Sequence, residues 1–332
     1  MWMDRLQADS LPWLLEPDPA NPGVRYFALR DLLDRPADDP AVTAAQEAIM
    51  ASGPVPAILD AQTPEGYWAK PGTGYSPKYR ATSWQILFLA ELGADPADAR
   101  VRRGCEYVLT HSVAANEAFS VYQSLRPSGA LHCLNGNLLY ALAKLGYAGD
   151  ERVQAALAWQ VNAITGEGDV RFYETGTSGP GFACGVNLGQ PCGWGAVKAV
   201  KALAAVPATQ RTPAMQRAIA AGVEFLFSRD PAVADYPYTE RVSPHWVKFG
   251  FPLSYWSDVL ETAAVLAEVG SGGDSRLAPA IALILSKQDA HGRWKLENAL
   301  NRKMWIDIEP RGKPSKWVTL RALRVLKRCP PA

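Results

Sequence analysis

Two matching phrases, Leu131-His132-Cys133-Leu134-Asn135-Gly136-Asn137 and Gln190-Pro191-Cys192-Gly193-Trp194-Gly195-Ala196, each open a hydrophobic helix inside the stretch from Gly129 to Val206. Between them Cys184 lies in a Gly-rich loop that leads into the second helix. An apolar helix, a more polar partner and a second apolar helix read as one unit of a repeating array. In a closed ring whose apolar helices all point the same way, the three sulfurs meet at one mouth.

The rest of the chain repeats this grammar. Leu32-Leu33-Asp34-Arg35-Pro36, Leu92-Gly93-Ala94-Asp95, Leu145-Gly146-Tyr147, Ala205-Val206-Pro207 and Val269-Gly270 each end an apolar helix. A short turn follows each of them, and an Asp or Thr N-cap then starts an amphipathic helix. The copies recur about every 55 to 63 residues, a period that belongs to helix-hairpin arrays.

The uniformly apolar helices are read as the inner ones, at Val24 to Leu33, Ala81 to Leu92, Leu131 to Leu145, Pro191 to Val206, Pro252 to Val269 and Ser315 to Arg328. Outer partners with apolar spacing of three and four are read at Ala41 to Ser52, Ala97 to His111, Glu151 to Ile164, Pro213 to Ser228 and Ser275 to Lys287. Residues 1–22 supply a short helix near Leu11 to Leu15 that closes the ring. Six inner and about six outer helices make an all-α protein, an α/α toroid forming a single domain over residues 1–332.

Composition agrees with a large packed core: 48% of the 332 residues are hydrophobic. Lys and Arg number 34 against 33 Asp and Glu, so no global charge draws the chain to nucleic acid. The basic cluster Arg321, Arg324, Lys327 and Arg328 has helical spacing and reads as a solvated helix face. No apolar run is long enough to span a bilayer and the N-terminus does not open a signal peptide, so a cytoplasmic protein with a small-molecule substrate is expected. Five cysteines, an odd number, favour thiols or a metal site over a disulfide framework.

Long Gly-, Pro- and aromatic-rich loops join each outer helix to the next inner one: Gln62 to Tyr79, Asn116 to Ala130, Gly166 to Gly189, Arg229 to Phe251 and His291 to Pro314. All five fall at the same step of the repeat. They therefore share one rim with the inner-helix N-termini, and loops of this length are often functional.

Two of them carry Q-x3-G-x-W, as Gln62 to Trp68 and Gln288 to Trp294. In this phrase the chain resembles the terpene cyclase and protein prenyltransferase superfamily of α/α toroids, in which the phrase is structural. Phrases such as Gly74-Tyr75-Ser76-Pro77-Lys78-Tyr79, Phe182-Ala183-Cys184-Gly185 and Trp317-Val318-Thr319-Leu320 resemble a bacterial group within it. The acid run D-x-D-D of squalene-type cyclases is absent. Asp38-Asp39 sits at an outer-helix N-cap, which is not the setting of a D-D-x-x-D metal motif. The toroid enzymes that use zinc hold it with Cys, His and Asp, and the resemblance implies that this barrel mouth suits such an ion.

Cys133 and Cys192 occupy equivalent first turns, where the helix dipole favours a thiolate. Three thiolates, with Cys184 as the third, or two of them plus His132 or His245, supply the three ligands and open position of a catalytic zinc site. The alternative is that both are small buried hydrophobes. Asp258 is a charged group on an apolar inner helix, to be read as a general base, a metal ligand or the ion-pair partner of Lys248 or Lys316. His245 is placed to shuttle protons, and Lys78 and Tyr79 to orient substrate. Aromatics including Trp84, Trp194, Tyr255, Trp256, Phe172 and Tyr173 are expected to line a central cavity.

The reading is thus a zinc-assisted enzyme performing hydrolysis or group transfer on a partly apolar substrate. The alternatives are an isoprenoid transferase or terpene cyclase-type enzyme, and a non-catalytic toroid that binds a hydrophobic ligand.

Overall fold

The computed structural model describes residues 2–168, 170–171, 178–237 and 242–330. Thirteen α-helices lie among the described residues: α1 (Leu11–Leu15), α2 (Pro22–Phe27), α3 (Pro40–Ala51), α4 (Pro54–Asp60), α5 (Thr82–Leu92), α6 (Ala99–His111), α7 (His132–Leu142), α8 (Glu151–Thr165), α9 (Gly193–Ala204), α10 (Pro213–Phe227), α11 (Val259–Leu266), α12 (Ala278–Ser286) and α13 (Lys316–Arg328).

Burial sorts them into two layers. In α5 every residue except Glu91 is buried, as expected of a helix that is apolar all round. Its partner α6 buries one face, through Val101, Cys105, Tyr107, Val108 and Leu109. The inner helices pack in order around a ring, α5 on α7, α7 on α9, α9 on α11, α11 on α13 and α13 on α2. The circle closes at Gly23 of α2, where an added Cβ would stand 2.5 Å from the Leu92 carbonyl oxygen and 2.8 Å from the Trp317 ring. Outside them α3, α6, α8, α10 and α12 each cover the inner helix they follow or precede, and α1 lies against α13. The fold is an all-α toroid.

The caps have the expected chemistry. Asp39, Asp98, Asp150, Thr212 and Asp274 accept backbone N–H groups at the first turns of the outer helices, at 2.7 to 3.2 Å. Gly93 ends α5 in the left-handed region, φ 84°, where only glycine pays no steric penalty. In both Q-x3-G-x-W loops the Trp is fully buried and donates 2.7 Å to an outer-layer carbonyl, Trp68 to Ile58 and Trp294 to Ile284. The backbone N–H of each Trp also meets the hydroxyl of an inner-helix threonine, Thr82 or Thr319.

One helix start and one extra helix depart most from the sequence reading. The fifth inner helix starts at Val259 rather than Pro252, and Asp258 supplies its cap by accepting the Glu261 N–H. The short helix α4 is additional, and opens on Gly53 and Pro54 after the expected outer helix has ended.

Candidate functional site

The inner-helix N-termini converge on one rim, and most of the sequence candidates lie there. Cys192 caps α9, its sulfur accepting the Gly195 N–H at 3.4 Å. Residues 182–184 and 190–192 form a short antiparallel ribbon in which Ala183 bridges Pro191, Cys184 N–H donates to Gln190 O at 3.2 Å and Cys192 N–H donates to Phe182 O at 2.9 Å. This register puts Cys184 and Cys192 diagonally on one face. The neighbouring Cys192 thiol, with help from Ser178 and nearby backbone N–H groups, lowers the Cys184 thiol to about 6 against the opposing effect of burial. Cys133 lies close enough to feel both charges, and burial pushes it up to about 12. Its side chain faces Tyr75, Trp84 and Tyr255.

The predicted zinc set does not assemble. His132 turns away from the thiols: Gln160 donates to its Nδ1 at 2.6 Å, so its Nε2–H donates to Gly179 O at 3.0 Å. Both nitrogens are spent, and burial lowers the ring to about 4. Among the described residues no three His, Cys, Asp or Glu side chains are arranged to hold a metal ion. His245 stacks on Trp256 with ring centroids 4.3 Å apart and meets Asn298 at 3.2 Å, away from the sulfurs.

Asp258 is likewise committed. It caps α11 through Glu261 N–H at 2.7 Å, accepts from Gly250 N–H at 3.0 Å and faces both guanidinium nitrogens of Arg321 at 2.9 and 3.1 Å. The expected partners Lys248 and Lys316 are not the ones it uses; Lys316 pairs with Asp18 at 3.3 Å. Lys78 lies 4.9 Å over the Tyr255 ring, and Tyr79 is hydrogen-bonded to Tyr255.

The aromatics of this rim fill it rather than line a cavity. Tyr75, Tyr79, Trp84, Trp194, Tyr255 and Trp256 stand 5.0 to 6.3 Å from one another in a chain of tilted and edge contacts. The spaces left are about 10 and 20 Å³, room for about one water each. Phe172 and Tyr173 lie outside the described residues.

The large cavity, about 470 Å³, opens at the opposite end of the ring, and all six inner helices or their last turns contribute to it. Its lining includes Arg30, Lys144, Lys201, Arg321, Arg324 and Arg328 against Asp31, Glu91, Glu261 and Glu268, with Tyr26, Phe27, Tyr140, Leu145 and Val265 between them. Arg324 and Arg328 of the presumed solvated face therefore line a chamber, and Arg321 is buried.

A septum of buried charges separates the two ends. Lys198, with no exposed surface, donates to both oxygens of Glu261 at 2.7 and 2.5 Å; Lys201 joins Glu261 at 3.2 Å and Glu91 at 2.6 Å. Burial alone would raise Glu261, but the charges of Lys198, Lys201 and Arg321 hold it down at about 2. Of the chamber's cations, Lys144 is the one with no carboxylate within ion-pair distance and no hydrogen bond among the described residues. It lies 5.7 Å over the Tyr140 ring, and desolvation lowers its pKa.

No protein-family model and no curated protein matches the chain. Solved structures do. A protein from Actinoplanes matches with 17% identity over 93% of this chain and 90% of that one, at a TM-score of 0.45. The type II terpene cyclase MstE from Scytonema, as a ligand-free variant, matches with 13% identity over 82% and 94% of the two chains, at 0.34. A second MstE variant, in complex with geranylgeranyl dihydroxybenzoate, matches with 14% identity over 83% and 95%, at 0.31. What this chain does has to be read from its own side chains.

The charged side chains of the chamber and of the septum beneath it had a signal in the sequence. Glu91, Lys144, Lys198, Lys201 and Glu261 interrupt helices that are otherwise apolar, and such groups must be paired or functional.

Proposed function

We propose that the protein binds, in the chamber at the inner-helix C-termini, a small amphipathic molecule that carries a phosphate or carboxylate group. The observation that carries this reading is Lys144, a cation without a carboxylate partner, facing a cavity of about 470 Å³ that has six cations and four carboxylates in its lining. Part of that excess answers the carbonyl ends of the inner helices. Glu268 and Asp31 act on Lys144 only from beyond ion-pair distance, and an anion beside it offsets the desolvation that disfavours its charged form. The volume is that of an ordinary small-molecule site, and Tyr26, Phe27, Leu145 and Val265 offer an apolar wall for the rest of the ligand.

The isoprenoid transferase or cyclase reading meets this geometry through an isoprenyl diphosphate, which has both the anionic head and the apolar tail. The faces of Phe27 and Tyr140 already carry Arg324 at 4.6 Å and Lys201 at 4.1 Å. The chamber is accordingly assigned to the charged head rather than to a carbocation. No step is routed through a metal, because the thiols and His132 do not form a ligand set.

Titration calorimetry at pH 7 and low salt, with inorganic pyrophosphate, farnesyl diphosphate and farnesol, tests the proposal. Both phosphates are expected to bind, farnesyl diphosphate more tightly, and Lys144→Met to weaken both by about 10- to 100-fold, the worth of one charge-assisted hydrogen bond. Absence of binding by both phosphates, or an unchanged affinity in Lys144→Met, overturns it.

A further inference from the structure

We infer that the chamber takes a ligand whose head is a terminal phosphate with two negative charges, and that Arg30 joins Lys144 in holding that head. The inference rests on the reading that the chamber binds an anion, and adds to it the charge of the ligand and a second residue that selects it.

Pairing decides which cations are left. Every carboxylate of the lining already has a partner: Asp31 has Arg324, Glu91 has Lys201 at 2.6 Å, Glu268 has Arg328 at 2.7 Å, and Glu261 has Lys198 and Lys201. Arg321 is held by Asp258, which lies outside the lining. Lys144 and Arg30 remain. Arg30 stands 3.7 Å from Oδ1 of Asp31, too far for a hydrogen bond, and the other oxygen of that carboxylate is taken by Arg324. Its Nη1 donates to the Tyr26 hydroxyl at 2.8 Å, a partner that brings no charge. With 38% of its side chain exposed, Arg30 is free to turn onto a ligand.

The two cations belong to turns that follow different inner helices, Arg30 to Ala28–Leu32 after α2 and Lys144 to Ala143–Tyr147 after α7. Of the effects that lower the Lys144 pKa, desolvation is the largest and the like charge of Arg30 follows it, so the two side chains feel each other. An anion seated between them relieves both effects. A carboxylate brings one charge and two oxygens, which leaves one cation unmatched. A phosphate monoester brings about two charges and three terminal oxygens, enough for a guanidinium fork and an ammonium together.

Titration calorimetry at pH 8 and low salt compares decyl phosphate, a dianion, with two monoanions of the same tail, decanoate and methyl decyl phosphate. Decyl phosphate is expected to bind the parent chain about 10- to 100-fold more tightly than either monoanion. Arg30→Met is expected to erase most of that preference, Arg30→Lys to keep part of it, and Lys144→Met to weaken all three ligands. Circular dichroism and a thermal melt show whether each variant is folded; should Arg30→Met not fold, the ranking of the three ligands by the parent chain decides. Equal affinities for dianion and monoanions in the parent, or a preference that persists in folded Arg30→Met, overturns the inference, while the chamber stands as an anion site if Lys144→Met weakens binding. No binding of any of the three removes the anion reading itself, and this inference with it.

Discussion

Arg321 on α13 reaches over to Asp258 at the head of the adjacent α11 and meets both carboxylate oxygens, at 2.9 and 3.1 Å. The pair fastens two neighbouring inner helices near the axis, with 9% and 5% of the two side chains exposed. An aspartate in this position is acceptor to a guanidinium and two backbone N–H groups, which leaves it no free base function.

Replacing Asp258 by Ala removes a cap and leaves Arg321 charged, buried and without its carboxylate. The expected loss is about 3 to 5 kcal/mol of unfolding free energy, read from the urea midpoint at constant slope. The double change Asp258→Ala with Arg321→Leu is expected to recover part of that loss. A loss below about 1 kcal/mol in the single variant contradicts a fastening role.

His132 sets a pH dependence whose sign follows from its depressed pKa. At pH above 6.5 it is neutral in both states and its contribution is complete. Between 6.5 and about 4 the unfolded chain takes up the proton that the folded one refuses, so stability falls with pH. The loss attributable to this group over that window is roughly 3 kcal/mol. His132→Gln is expected to flatten the stability curve between pH 6.5 and 4 relative to the parent, and an identical slope contradicts the assignment.

Gly136 marks the closest approach of α7 and α9. A Cβ there would stand 2.4 Å from both the carbonyl carbon and oxygen of Lys198, which are backbone atoms and have no rotamer to yield. Gly136→Ala gains helix propensity of about 1 kcal/mol but is expected to destabilise by about 1 to 3 kcal/mol net, through separation of the two helices. Thermal melting checks the sign. A raised midpoint would contradict a backbone contact between the two helices at this point.

The fold was legible because its signals are local and repeated. The Asp and Thr caps, the Gly stops and the apolar inner stretches state the same hairpin five times, and Trp68 and Trp294 mark equivalent corners. The rim was legible for the same reason, since Cys133, Cys192 and Asp258 all stand at inner-helix N-termini. What each side chain does there was not legible, because that depends on partners from other repeats. His132 is claimed by Gln160 and Gly179, and Asp258 by Arg321 rather than by either lysine proposed for it. The main cavity was missed because aromatics at the rim suggested a lined hollow, whereas they pack against each other and fill it. The charges near the helix C-termini define the open space, and on α13 they follow a spacing that also suits a solvated face.

The layer of ion pairs made by Lys198, Lys201, Glu91 and Glu261 also turns a ring into a cup. A guest in the bowl therefore has Glu91, Lys201 and Glu261, charges already matched to one another, along part of its wall.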